Sequence, residues 1–138
     1  MKENFDKAIA FTLSWEGGYS NDPKDAGGET NRGISKRAYP NLDIKNLTKE
    51  QAIAIYKADY WNKCDCDNMT YPLDIICFDT AVNMGVSRAL IFKKQTTDYR
   101  DYILLRIQRY LDLAAKNPTF LKGWLNRTLA LYNLVKGH

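Results

Sequence analysis

The sequence predicts a mainly α fold, and three observations carry the prediction. Apolar residues recur at helical spacing in segment after segment. Helix caps and breakers fall between those segments: Thr48 with Gln51, Pro72, Gly85, and Asn117 with Pro118. The turn-forming residues gather in one stretch, 16–34, which reads EGGYSNDPKDAGGETNRGI and has room for no more than a small hairpin.

The first helix is expected over residues 3–16. Phe5, Ala8, Ile9, Thr12 and Leu13 form its apolar stripe. At about 100° per residue, Glu16 falls within that stripe, in line with Phe5 and Ile9, while Lys7 and Ser14 lie opposite. A carboxylate thus ends a helix on the face that points inward. Burial and the negative helix end both favour its neutral form. Trp15 and Tyr19 are flanking rings suited to excluding water. Gly17 and Gly18 are placed to end the helix.

Beyond the glycine loop, residues 35–39 allow one helical turn, stopped by Pro40. Thr48 and Gln51 make a capping box for a helix that runs to about Trp61. Residues 62–70 are polar and loop-like. Pro72 suits the first turn of a helix that is apolar almost all round, and therefore central. Asp79 and Asn83 sit four apart within it and need polar partners if buried. Gly85 ends that helix, and Ser87 is placed to cap a short one through Gln95. A long amphipathic helix is expected over 98–116. Asn117 and Pro118 open the last, which ends at Gly137.

With 138 residues, 45% hydrophobic, the chain is expected to be one domain with a real core. No apolar run approaches the ~18 residues of a membrane span. The N-terminus lacks the apolar core of a signal peptide, so synthesis in the cytoplasm is expected. The net charge of +4 is spread without a Lys/Arg run, which indicates no nucleic-acid stripe and suits an anionic surface such as a cell wall. Cys64, Cys66 and Cys77 are odd in number and lack a fourth ligand, so they read as plain thiols rather than zinc ligands or disulfides.

Three readings of the glycine loop compete. In the first, Glu16 and Asp25, nine residues apart, are an acid in an apolar place and an ionised partner in a polar loop. Glycoside cleavage needs such a pair, one to protonate the leaving oxygen and one to activate water or shield the cation. Thr30 is placed to hold that water, and the glycines let a sugar approach the backbone. In the second, Asp22, Asp25 and Glu29 bind calcium, although Asp22-Pro23-Lys24-Asp25 lacks the alternation of an EF-hand. In the third, the acids and glycines only make turns.

The run Glu16-Gly17-Gly18-Tyr19, Pro23, Asp25, Gly27-Gly28, Thr30, Gly33-Ile34 resembles the signature of the glycosyl hydrolase family 108 muramidases. Tyr60-Trp61 with Cys64, Phe78-Asp79, Ala81-Val82-Asn83 and Gly85 resemble a second block of the family. Asn117-Pro118, Phe120, Gly123-Trp124 and Asn126-Arg127 resemble its C-terminal block. The resemblance implies a lysozyme-like helical domain over residues 1–138, with residues 98–138 as a C-terminal helical pair. Only residues 87–98 stand where family members carry a longer segment read as a peptidoglycan-binding module, which is therefore expected to be shortened or absent. The C-terminal helices are then mainly packing, with Trp124 in the core.

By the same resemblance, the substrate is bacterial peptidoglycan and the bond is the β-1,4 link between N-acetylmuramic acid and N-acetylglucosamine. Glu16 is the catalytic acid, Asp25 the second carboxylate, and Thr30 the water holder, although Thr30 stands one residue early for the Glu-x8-Asp-x5-Thr pattern of phage lysozymes. Tyr19, Asn83 and Asp79 are substrate-side candidates, Asp79 and Asn83 reading first as buried scaffold. No cofactor, metal or nucleic acid is expected. A monomer that reaches the wall through a holin-like pore, in phage lysis or release of secreted proteins, is the expected setting. Two rivals remain at this point: a lytic transglycosylase, and a non-catalytic peptidoglycan-binding or phage structural protein.

Overall fold

The structure is a computed structural model, and it describes residues 2–24 and 27–137. Among the described residues it holds six α-helices and one two-stranded sheet, a mainly α, lysozyme-like fold. The helices are α1 (Phe5–Trp15), α2 (Lys49–Tyr56), α3 (Leu73–Met84), α4 (Val86–Gln95), α5 (Tyr99–Ala114) and α6 (Leu121–Val135). The strands are β1 (Thr30–Asn31) and β2 (Ile34–Ser35), antiparallel, with Asn31 opposite Ile34. None of the described helices is long and apolar enough to cross a membrane.

Helix α3 is the axis of the molecule. Residues Asp74 through Ala81 are all buried, as an all-round apolar helix demands. Helix α1 packs across it through Phe5, Ala8, Ile9 and Thr12. Phe5, Trp61 and Phe78 meet edge to face with ring centroids 5.3–5.8 Å apart, the favoured geometry for aromatic quadrupoles. Helices α4, α5 and α6 close the other side of the core.

The capping box at Thr48 forms as its sequence requires. The Thr48 hydroxyl accepts from the Gln51 amide at 3.1 Å, and Gln51 Oε1 accepts from the Thr48 amide at 2.9 Å. Helix α2 then widens into a π-helical turn, Lys57–Trp61, closed by the Asn62 amide donating to the Lys57 carbonyl at 2.9 Å. Trp61 is left fully buried and donates to Asp67 at 2.7 Å.

Several boundaries differ from expectation, each for a local reason. Helix α1 stops at Trp15, and Glu16 leaves it in an extended conformation, so neither Gly17 nor Gly18 supplies a left-handed cap. Helix α4 begins at Val86, because Gly85 at φ +98° turns the corner directly and Ser87 falls inside the helix. Asn117 does cap, accepting from the Thr119 amide, but it opens a 3-10 turn, Pro118–Phe120, before α6 begins. Trp124 is half-buried rather than in the core. Cys64, Cys66 and Cys77 are buried free thiols.

Candidate active site

Glu16, the residue that follows α1, stands four positions beyond the buried Thr12, and the two reach the same cluster. The Thr12 hydroxyl donates to Asp79 Oδ1 at 2.9 Å. Glu16 Oε1 accepts from Arg127 at 3.0 Å, and Arg127 turns the rest of its guanidinium to Asp79, with Nη2 donating at 2.7 Å. The ion pair is nearly sealed, with side-chain exposures of 20% for Glu16 and 7% for Arg127. Glu16 thus keeps one side open to the cleft.

A second arginine completes the cluster. Arg106, from α5, places Nη2 2.9 Å from Asp79 Oδ2. That nitrogen has no hydrogen-bond partner among the described residues, so the contact is held by charge rather than by direction. Arg106 also donates to the Tyr110 hydroxyl at 2.9 Å and to Thr80 at 3.1 Å. Burial opposes the charge on Asp79, but Arg106, Arg127 and the hydrogen bonds from Arg127 and Thr12 outweigh it. The Asp79 carboxyl is held below the usual carboxylate range. Burial likewise opposes the charge on Arg127, and Asp79 and Glu16 more than offset it, raising that guanidinium above its ordinary value. Two acids and two arginines leave the cluster formally neutral, which is how four charges can share a buried place.

The hairpin supplies the other side of Glu16. Arg32 and Gly33 join the strands with φ of +54° and +81°, the two left-handed residues of a type I′ turn. The turn is pinned from behind. Tyr56 donates to the Arg32 carbonyl at 2.7 Å, and Asn31 donates to the Ile44 carbonyl at 3.0 Å. Burial, with the Glu16 charge nearby, pushes the Tyr56 hydroxyl well above the usual phenol range, so it stays a donor. Gly33 faces Glu16 so closely that a Cβ there would stand 2.8 Å from Oε2, and it would also strike the Tyr56 hydroxyl. Only glycine fits that position, on both conformation and space.

A cleft of about 650 Å³ opens here, lined by Glu16, Gly17, Gly18, Tyr19, Asn31 and Arg32 among others. Among the described residues, a Cβ on Gly17 or Gly18 would meet nothing within 4 Å, so these glycines leave the cleft wide rather than bending the chain. Tyr19 is 43% exposed and anchored by its hydroxyl, which donates to Glu29 at 2.6 Å. That bond, more than burial, raises the Tyr19 hydroxyl above its ordinary value. Arg32 and Lys49 add positive charge to the rim.

The structure brings Glu16 and Tyr19 together in this cleft. Asp79 lies beneath it, fully buried, and touches Glu16 only through Arg127. Thr30 pairs with Ser20 through its backbone, at 2.8 Å in each direction, and is not part of the cleft lining. Asn83 faces a different pocket, about one turn further along α3. Asp25 lies outside the described residues. Of the calcium candidates, Asp22 accepts from the Lys24 amide and Glu29 from Tyr19, and among the described residues no group of three or more His, Cys, Asp or Glu gathers to hold a metal. Arg127, Tyr56 and Gly33 are the residues whose contacts with Glu16 sequence reasoning missed.

Glu16 is thus a half-buried, arginine-paired carboxylate at the end of α1, facing a pinned hairpin and a polar cleft. Residues 9–85 match the family model described as Glycosyl hydrolase 108. The chain belongs to glycosyl hydrolase family 108, and so to the peptidoglycan hydrolases in the broad sense. It is also similar to a solved structure, SagA of Brucella abortus, with 28% sequence identity and a TM-score of 0.81 over 98% of this chain and 95% of that one. No curated protein sequence matches the chain.

Proposed function

We propose that the protein is an N-acetylmuramidase, cutting the β-1,4 bond between N-acetylmuramic acid and N-acetylglucosamine, with Glu16 as general acid. The observation that carries this reading is the two-sided placement of the Glu16 carboxylate. Arg127 fixes Oε1, Oε2 lies beside Gly33, and Glu16 lines the cleft. A proton taken up at Oε2, the oxygen not bonded to Arg127, passes to the glycosidic oxygen as the bond to the anomeric carbon breaks, and water adds its hydroxyl to that carbon and gives its remaining proton to Asp25. Asp79 positions Arg127 and does not meet substrate. Asp25 as the base that activates water is the role its motif supports, and Thr30, one residue early for that motif, would have to reach the water from beside the cleft. The open ring of Tyr19 offers a stacking surface to a sugar, and the basic rim suits a polymer that carries carboxylates.

The substrate lies outside the cytoplasmic membrane, so the periplasm or the wall is the proposed place of action. Delivery through a holin-like pore, in phage lysis or release of secreted proteins, is the proposed setting. A turbidity assay on purified walls tests the catalytic claim. Wild type should clear them and Glu16→Gln should not. If Glu16→Gln clears walls at the wild-type rate, Glu16 is not the acid. If wild type pellets with walls without clearing them, the protein is a binding module.

A further inference from the structure

A second pocket, of about 230 Å³, lies where α3 passes into α4, with α5 and α6 as its walls. Asn83, Arg88, Arg109, Tyr110 and Trp124 line it, and among the described residues no Asp or Glu does. Its polar side chains present donors. Asn83 Oδ1 is taken by the Tyr110 hydroxyl, which leaves the amide nitrogen for a ligand. The Tyr110 oxygen in turn accepts from Arg106. Arg88 lies over the Phe92 ring, 6.0 Å from its centroid, and neither Arg88 nor Arg109 pairs with a carboxylate among the described residues. Both arginines are half-buried. Two guanidiniums facing one pocket repel, and an anion between them relieves that repulsion. Trp124 stacks on Tyr110 at 5.0 Å and 19° and makes a rigid wall.

We propose that this pocket binds the C-terminal carboxylate of the peptide stem of peptidoglycan, while the glycan strand crosses Glu16. Guanidinium forks match a carboxylate in plane, and the aromatic wall covers the small side chain beside it. Two of its lining residues stand close to the ion-pair cluster that holds Glu16. Asn83 stands four residues after Asp79 on α3 and Trp124 three before Arg127 on α6, so each is about one turn, ~5 Å, from the ion-pair cluster. An unbroken chain of contacts runs from Asn83 through Tyr110, Arg106, Asp79 and Arg127 to Glu16.

This inference rests on peptidoglycan as the substrate, and its test separates the two. The probes are a stem pentapeptide ending in D-alanyl-D-alanine, its C-terminal amide, and inorganic phosphate, titrated by calorimetry into wild type and into the Arg88→Ala/Arg109→Ala double variant. The free acid should bind wild type, with the amide and the double variant each about tenfold weaker or more. On walls, the double variant should raise KM about tenfold with kcat held, and on glycan stripped of peptide it should change neither. Circular dichroism checks that the double variant folds. The proposal is overturned if the amide binds as well as the acid, if equimolar phosphate displaces the peptide, or if KM moves equally on both substrates. Peptide binding by a wild type that cuts no wall would sink the muramidase reading alone. Wall cutting without peptide binding would sink this inference alone.

Discussion

Replacing Asp79 with Asn removes the one carboxylate that Arg106 and Arg127 share while keeping its volume. Asp79 is fully buried, and Arg106 and Arg127 side chains are 0% and 7% exposed. Arg127 would then keep Glu16 as a partner, and Arg106 would lie in a low-dielectric place with no carboxylate partner among the described residues. Removing one member of a buried ion pair costs about 3–5 kcal/mol, because the other charge is left uncompensated. With a urea m-value of about 2 kcal/mol/M, the unfolding midpoint should fall by about 1.5–2.5 M. The pH dependence follows from the lowered pKa of Asp79. A depressed carboxyl stabilises the fold fully above its unfolded value, about pH 4, and that stability is lost as pH falls through the lowered folded value. The gap between wild type and Asp79→Asn should therefore narrow below about pH 4. Urea melts followed by tryptophan fluorescence at several pH values measure both effects. A loss under about 1 kcal/mol at neutral pH would show that the cluster is not the electrostatic keystone of the fold.

Other residues make separate demands. Arg127→Lys keeps the charge but cannot hold Asp79 and Glu16 together in a fork, so kcat on walls should drop about tenfold or more with KM little changed. Gly33→Ala should cost about 1–2 kcal/mol from its left-handed conformation and reduce kcat as well, since the added carbon meets Glu16 Oε2 and the Tyr56 hydroxyl. Thr48→Ala should lose about 1 kcal/mol in urea melts through the lost cap, with wall clearing unaffected.

What was legible in the sequence was what local periodicity controls. Glu16 could be placed on the buried stripe because four residues of α1 define that stripe. The Thr48 box and the all-round burial of α3 follow from residues a few positions apart. Arg127 was out of reach because its partners come from α1 and α3, Glu16 being 111 positions away. A signal for it did exist. Arg106 lies between Ile103 and Tyr110 on the buried side of α5, and Arg127 between Trp124 and Leu131 on that of α6. Two arginines in apolar stripes call for a buried acid, and Asp79 was one of the two acids in the most apolar helix. The end of α1 was misjudged because glycine after a helix usually caps it. Here the pull of Arg127 on Glu16 and the open cleft over Gly17 and Gly18 govern the chain instead.

The central claim is that Glu16 donates a proton to the bond on the reducing side of N-acetylmuramic acid and that water completes the reaction. Mass spectrometry of peptidoglycan digested by wild type and by Glu16→Gln tests it most directly. The account predicts fragments with reducing N-acetylmuramic acid ends from wild type and none from Glu16→Gln. Ends carrying 1,6-anhydro rings would make the protein a lytic transglycosylase, and reducing N-acetylglucosamine ends, or equal product from Glu16→Gln, would contradict the account.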